Sequence, residues 1–500
     1  MDETKSRKIA QCFYIFLLVF VLGWSFCQFL RHQIGIDAME AICWGELLDF
    51  GTNKHPPLSG WVIASIFNLF GQNDHAVYFI GSTCVAIGML FVYKLAKYFL
   101  TKEKAACAAM IMTACFYYTF QLFDDNFNCN TLSIALWPMI VYFYYKSVRE
   151  NRLKDWILFG LTTGLGALTK YQIVFLVLAL FIHFILFERK YFKQIGLYLA
   201  VLTGLIVISP HVIWLIKHDF FSFAYMTAQA EIDGDSVQVA IFSLKRLFSP
   251  LKFLADQVLA VGPCIGLYLI LAFKNKNIQA GSESLNISDK VFLLSVCIIP
   301  AFAQGMMGLI TGGYIHGSWG SIMIAFTGIV LFAFFPTKFD EKSFPFFVKM
   351  VYVVLFIWLT IMVIFSQLQV KHAISYPYES NIKAFHEIWD KQTNGADLKY
   401  IGGHIDYIFQ FRVYDKSRPH VILESFGYKN PWEDHDDILK SGALIFSKKE
   451  NKLEKTVHET IINLPEDYKI TPEVFEYEIK NKTGRVKKFK VYYAVILPQR

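Results

Sequence analysis

Apolar residues recur along most of this chain in runs of about twenty, separated by short polar segments. Near residue 368 the runs shorten and begin to alternate with polar positions. The first run, from about Ile9 to Leu30, is long enough at about 1.5 Å per residue to cross a hydrocarbon core of about 30 Å. A basic N-terminus (Lys5, Arg7, Lys8) precedes it. The run is too long for a signal-peptide core, and no small-x-small cleavage site follows, so it reads as a retained helix. Further runs near 76–93, 105–121, 130–145, 156–169, 171–187, 194–216, 253–273, 291–310, 318–335 and 347–367 bring the expected number of spans to about eleven. From Gln369 onward, β-rich stretches (LKYIGG, PHVILES, GALIFS, KVYYAVIL) alternate with helix-like ones (HIDYIFQFRVY, PWEDHDDILKS), which predicts a small α/β domain. The expected fold is therefore mainly α. Residues 1–368 would form a polytopic transmembrane helical bundle with periplasmic interfacial loops, and residues 369–500 a soluble extracytoplasmic α/β domain. The basic run KNKTGRVKKFK near the end reads as a solvated hairpin before the last strand, with an anionic surface as the alternative partner.

Composition agrees with the pattern: 55% of the 500 residues are apolar, including 48 Phe, far from soluble globular usage. A net charge of +7 would suit a nucleic-acid binder, but its placement argues against one. Lys and Arg gather in alternate short loops: 94–104, 146–155, 188–193, 274–277 and the segment holding Lys338 and Lys342. The positive-inside tendency puts these loops and the N-terminus in the cytoplasm. Segments 31–57, 122–129, 217–252 and 311–317 then face outward, and an odd number of spans sends the C-terminal domain outward too. The nine cysteines lie between Cys12 and Cys297, mostly inside apolar runs, and read as buried free thiols rather than a disulfide framework.

The chemistry-bearing residues fall on the outward side. In the first outer loop, Asp37 and Glu40 are three apart and share a face if the segment is helical. Such carboxylates serve as a general base and its helper, or hold a cation. Lys54-His55-Pro56-Pro57 follows, its prolines fixing the backbone beside two groups able to contact a phosphate. The second loop, FDDNFNCN, offers Asp124, Asp125, Asn128 and Asn130, a polar density that is costly at membrane depth unless it lines a cavity. Lys170-Tyr171, His211 after Pro210, and His316 in YIHGSW complete the set; for Lys170 the alternative is an interfacial, snorkelling lysine, and for each histidine a structural role. No phosphate loop, no metal-spaced Cys/His set and no G-x-S-x-G elbow occurs. The glycines of GLTTGLGALTK are spaced for close helix packing.

At these residues the chain resembles the membrane glycosyltransferases of the C superfamily, in the bacterial branch related to protein O-mannosyltransferases and lipid A aminoarabinose transferases. The resemblance covers most of residues 1 to 445. It rests on Asp37, Leu48-Asp49-Phe50-Gly51 and His55-Pro56-Pro57-Leu58 in the first loop, then on Phe127 to Thr131 with Leu136-Trp137-Pro138. Gly164 to Tyr171, Pro210-His211 with Trp214 and Asp219-Phe220, and Pro431-Trp432 with Gly442-Ala443-Leu444 follow in the same order. It implies inverting sugar transfer from a polyprenyl-phosphate donor to a lipid, glycan or protein acceptor at the outer face of a bacterial inner (plasma) membrane. Asp37 would be the base, with Glu40, Asp124 and Asp125 as further acids. Lys54, His55, Asn128, Asn130, Lys170, Tyr171, His211 and His316 would bind substrate. No cofactor is implied with certainty, and a divalent cation is left open. Two positions depart from the family pattern: Ala38 replaces the second acid of the usual pair, and Lys54 replaces the acid before His-Pro-Pro. A transporter or lipid flippase, and a non-catalytic relative acting as an assembly subunit, are the competing readings.

Overall fold

The computed structural model describes residues 3–31, 33–223, 244–275, 285–311, 315–369, 376–423, 430–461, 464–465 and 468–499. The chain divides into two compact units. The first comprises Met1–Gln28, Tyr78–Ile213 and Gln229–Met362, and the second Phe29–Val77, Trp214–Ala228 and Val363–Arg500. The second unit thus joins the C-terminal region to two segments expected in the membrane domain, one of them containing the whole first outer loop, 31–57.

Among the described residues six helices are long and apolar enough to cross a membrane: α1 (Glu3–Gln28), Asp74–Ala96, Ile195–Lys217, Phe248–Lys274, Ile287–Ile310 and Ser343–Leu368. Each matches a predicted span. They carry apolar side chains on their open faces, as in Val353, Phe356, Ile357, Ile361 and Ile364 of the last, which suits lipid and not water. The chain is a multi-pass membrane protein.

The other five predicted spans take different forms. Over 105–121 the helix Lys102–Met110 passes into a 3-10 turn (Ile111–Ala114). Cys115 is extended there, and a π-helical turn over Tyr117–Gln121 then leads to Leu122–Asp125, with a bend of 66°. Counted as one span, this pair makes seven. Cys129–Glu150 has 22 residues but is rich in polar side chains. Leu153–Ala167 and Ile173–Phe187 have 15 each, about 22 Å of helix, short of the hydrocarbon thickness. Over 318–335 the backbone holds a 3-10 turn (Gly317–Gly320) and only eight helical residues, Thr327–Phe334. Its Gly328 packs so closely that a Cβ there would lie 1.9 Å from the Ala108 carbonyl oxygen.

Small and polar residues hold the first unit together. The predicted role of the glycine-spaced stretch is borne out: a Cβ on Gly160 would meet the Ala200 carbonyl oxygen at 2.1 Å, and one on Gly164 would meet Val207 at 2.7 Å. His183, fully buried, bonds Tyr144 Oη at 2.8 Å and Ser288 Oγ at 3.1 Å and so ties three helices, the use of polar groups as interhelical glue. Seven of the nine cysteines are buried.

In the second unit α2 (Ile36–Glu46) and α3 (Leu58–Leu69) pack through glycines. The Leu58–Leu69 helix, 12 residues long, is too short to register as a span. A Cβ on Gly45 would lie 2.0 Å from the Gly60 carbonyl oxygen. Gly45→Ala is therefore expected to lower stability by about 1–3 kcal/mol, read as a drop in the melting temperature of the full-length protein.

The C-terminal region forms a five-stranded sheet in the order β2-β1-β3-β5-β4. The strands are β1 (Tyr400–Gly403), β2 (His420–Val421), β3 (Ala443–Ser447), β4 (Glu473–Lys480) and β5 (Val486–Ile496). β1 runs parallel to β2 and β3, and β5 antiparallel to β3 and β4. β3 is buried along its whole length, as the unbroken apolar stretch ALIF requires of a strand covered on both faces. Leu453 and Val457 of the helix Glu450–Thr460 share a cluster with Ile445. Phe385, Phe446 and Tyr493 form another around their rings. The expected α/β character and the hairpin at the basic run are both present, with Lys488 and Lys490 paired to Glu478 and Glu476 across the strands.

His386 Nε2 lies 2.6 Å from Asp415 Oδ2. That hydrogen bond raises His386 above its ordinary 6.5. Burial pushes the Asp415 carboxyl up, but hydrogen bonds from His386 and Ser417 outweigh it and hold the group below its ordinary 3.8. The pair's stabilisation is then full between those two ordinary values. It is lost as pH rises through the raised histidine value or falls through the lowered aspartate value. Thermal melting against pH is expected to show this plateau, on the order of 1 kcal/mol high, and His386→Ala to flatten it.

Candidate active site

The first outer loop places its groups in the second unit. Asp37 occupies the first turn of α2 and is exposed. Negative charge there is favoured by the helix dipole. One turn on, Glu40 is 8% exposed, and its Oε1 accepts from Lys54 Nζ at 2.7 Å. Lys54, one of the two positions that depart from the family pattern, thus meets Glu40 in a buried ion pair. Ala38, the other, is fully buried, so an acid there would have to lose its water. Thr52 Oγ1 donates to the His55 carbonyl and accepts from the amides of Lys54 and His55, which folds the Lys-His segment into a tight turn. Trp44 Nε1 donates to Asn53 Oδ1 at 2.9 Å, and its ring meets His55 edge-on. Pro57 then caps α3.

The remaining candidates lie in the first unit. Much of the second loop is a self-supporting turn. Asn126 takes a left-handed φ of 60°, is buried, and donates to Gln28 Oε1 and the Phe123 carbonyl. Asn128 caps the helix Cys129–Glu150 in a reciprocal box with Thr131. Asp125 accepts from Gln121 and Asn128, while Asp124 is half-buried in the last turn of Leu122–Asp125. Asn130 points elsewhere: its Oδ1 accepts from Lys170 Nζ. Lys170 is only 7% exposed and its ammonium lies 5.5 Å from the centre of the Trp319 ring. It lines a small cavity with Ser133, Trp137 and Gly166. A cation drawn this far into a helical bundle is expensive unless it serves a ligand or a partner. Next to it, Tyr171 Oη bonds the buried His211 Nε2 at 3.1 Å with the rings stacked.

His316, exposed, lines a second, open cavity of about 460 Å³ with Tyr117, Gln121, Lys252 and Asp256, and with apolar groups such as Phe116 and Trp358. Its polar groups and apolar walls suit an amphipathic ligand. Tyr117 and Gln121 reach it from the π-helical turn, an irregularity often found at functional sites. Sequence reasoning missed Tyr117, Gln121, Lys252 and Asp256; the four-residue spacing of Lys252 and Asp256, which pair at 2.8 Å, was the one available signal. Among the described residues no three His, Cys, Asp or Glu side chains gather in a group able to hold a metal ion.

Residues 54–214 match the dolichyl-phosphate-mannose-protein mannosyltransferase family. The lipopolysaccharide core galacturonosyltransferase RgtB of Rhizobium johnstonii is 24% identical over 317 residues, 60% of this chain and 62% of that protein. The undecaprenyl phosphate-alpha-4-amino-4-deoxy-L-arabinose arabinosyl transferase of Pseudomonas aeruginosa is 30% identical over 164 residues, 31% of this chain and 29% of its own length. By sequence, part of the chain is therefore similar to membrane glycosyltransferases. It spans less than two thirds of the curated relatives it matches first, at 62%, 44% and 44% of their lengths. Among solved structures, ArnT from Cupriavidus metallidurans bound to undecaprenyl phosphate aligns over 97% of both chains, at 12% identity and a TM-score of 0.48.

Several residues that carry the C-superfamily resemblance act as scaffold in the second unit. Asp49 Oδ2 accepts from Trp432 Nε1 at 2.9 Å, and its carbonyl from Trp61 Nε1 at 3.0 Å. Trp432 stacks on Trp214, with ring centres 5.8 Å apart. Gly51 sits against the same Trp214, where a Cβ would come within 2.1 Å of the ring. At the end of α2, Glu46 is gripped by Arg412 at 2.8 Å and by Arg418. Three separated motifs thus lock the loop that carries Asp37 onto the C-terminal fold.

Proposed function

We propose that this chain is a polyprenyl-phosphate-sugar-dependent glycosyltransferase, moving a hexosyl or pentosyl group to a lipid, glycan or protein acceptor on the outer face of a bacterial inner membrane. In the reaction the acceptor oxygen attacks the anomeric carbon as the bond from that carbon to the phosphate oxygen breaks. The electron pair leaves with the phosphate, and the hydroxyl proton passes to Asp37. In the first unit Lys170, positioned by Asn130, meets the charge growing on the departing phosphate, and Tyr171 with His211 supports it. Glu40 and Lys54 fix the turn on which His55 is carried. The polyprenyl tail calls for an apolar wall beside a polar head site, which the cavity at His316 offers. The observation that carries this reading is Lys170: a buried ammonium beside a cavity, inside the segment that matches the mannosyltransferase family.

The reading includes about eleven membrane crossings, counting the short and bent apolar segments, with the N-terminus cytoplasmic and the C-terminal region periplasmic. A reporter enzyme fused after Gln369 is expected to be active only when it works outside the cytoplasm; activity of a cytoplasmic reporter there would overturn the orientation. The activity itself is tested in membranes supplied with polyprenyl-phosphate-linked sugars. Chain-dependent release of free polyprenyl phosphate supports it, and equal release in membranes lacking the chain contradicts it.

A further inference from the structure

The β4–β5 hairpin carries cations that sugar transfer does not use. Its turn is tightly built: Asn481 Oδ1 accepts from the amides of Thr483 and Arg485, and Gly484 takes a left-handed φ of 84°. Lys488 and Lys490 are matched by glutamates across the strands. Lys482, Arg485 and Lys487 are exposed, and among the described residues none of the three has a carboxylate at ion-pair distance. Val486 between them is 44% exposed.

The position of this turn gives the charges a partner. Asn481 Nδ2 donates to the Leu368 carbonyl oxygen at 2.6 Å. Leu368 is the last residue of the apolar helix Ser343–Leu368, and its carbonyl is one of the four that a helix end leaves without an internal partner. The asparagine that shapes the turn therefore also caps the point where a membrane span ends. Three cations without a carboxylate partner follow that asparagine along the chain, Lys487 among them with its ammonium 4.9 Å from the centre of the Phe489 ring, together with an exposed valine.

We propose that the tip of the β4–β5 hairpin is a membrane-surface anchor that takes anionic phospholipid headgroups. The chemistry is a phosphate diester met by ammonium and guanidinium groups, with Val486 facing the acyl boundary. Basic residues beside a span gain about fivefold in binding each at an anionic surface and lose it as salt screens the charge. The inference does not depend on sugar transfer.

The test is hydrogen exchange of the full-length protein in nanodiscs of phosphatidylcholine alone or mixed with phosphatidylglycerol. Amides of 480–488 are expected to exchange on the order of tenfold more slowly with phosphatidylglycerol present, and the difference to shrink at raised salt. The variant Lys482→Gln/Arg485→Gln/Lys487→Gln should lose the difference while exchange of β3 stays unchanged. Equal exchange in the two lipids would overturn the proposal. So would protection in phosphatidylcholine on adding inorganic phosphate, which would mark a site for the free anion.

Discussion

Asp37→Asn is expected to lower sugar transfer by about 10²- to 10⁴-fold, the usual worth of general-base assistance, without loss of expression or of the melting transition. The amide keeps the size and the helix-start position of the side chain but cannot accept the acceptor's proton. Asp37 is exposed in the first turn of α2; of that helix's other acids, Glu40 pairs with Lys54 at 2.7 Å and Glu46 with Arg412 at 2.8 Å. Transfer assayed in membranes with donor and acceptor present reads the effect, and full activity of Asp37→Asn removes this residue from the mechanism.

Lys170→Met is the second large effect. Methionine retains much of the lysine's length and apolar stem but deletes the ammonium, so the bundle around Trp137, Gly166 and Trp319 keeps its packing while the phosphate loses a charged donor. Removing one such donor from a leaving-group site lowers kcat by about 10²- to 10³-fold. Asn130→Ala is expected to fall in the same direction by less, because it leaves the charge and removes only its positioning. If Lys170 were a snorkelling lysine, Lys170→Met would leave kcat near that of the wild-type chain, so single-turnover rates separate the two roles.

Much of this arrangement was legible from the sequence, for physical reasons that differ by element. The six long spans announced themselves through length and hydropathy, which depend on the residues alone. The sheet announced itself through β3, whose unbroken apolar run has few other uses. The short helices did not: Ile173–Phe187 and Leu153–Ala167 are as apolar as a span but stop at 15 residues, and only the surrounding fold decides where a helix stops. Pairing was the least legible property. Lys54 read as a phosphate ligand and Glu40 as a helper acid because their meeting depends on a turn built by Thr52. Asn128 read as a ligand and is a helix cap, a role its spacing to Thr131 already allowed. Asp49, Gly51, Trp214 and Trp432 were visible as motif residues, but nothing in their separation along the chain told that they would stack into one knot.

A lipid-linked sugar donor is the central element of the proposed reaction. The most direct measurement compares by mass spectrometry the envelope glycolipids and the polyprenyl-phosphate sugars of a strain lacking this chain, complemented either with the wild-type chain or with Lys170→Met. One sugar mass is expected to disappear from a glycolipid or glycan in the deletion strain while the matching polyprenyl-phosphate sugar accumulates. The wild-type chain should restore both pools and Lys170→Met neither. Glycolipid and donor pools that stay the same in all the strains would contradict the proposed reaction.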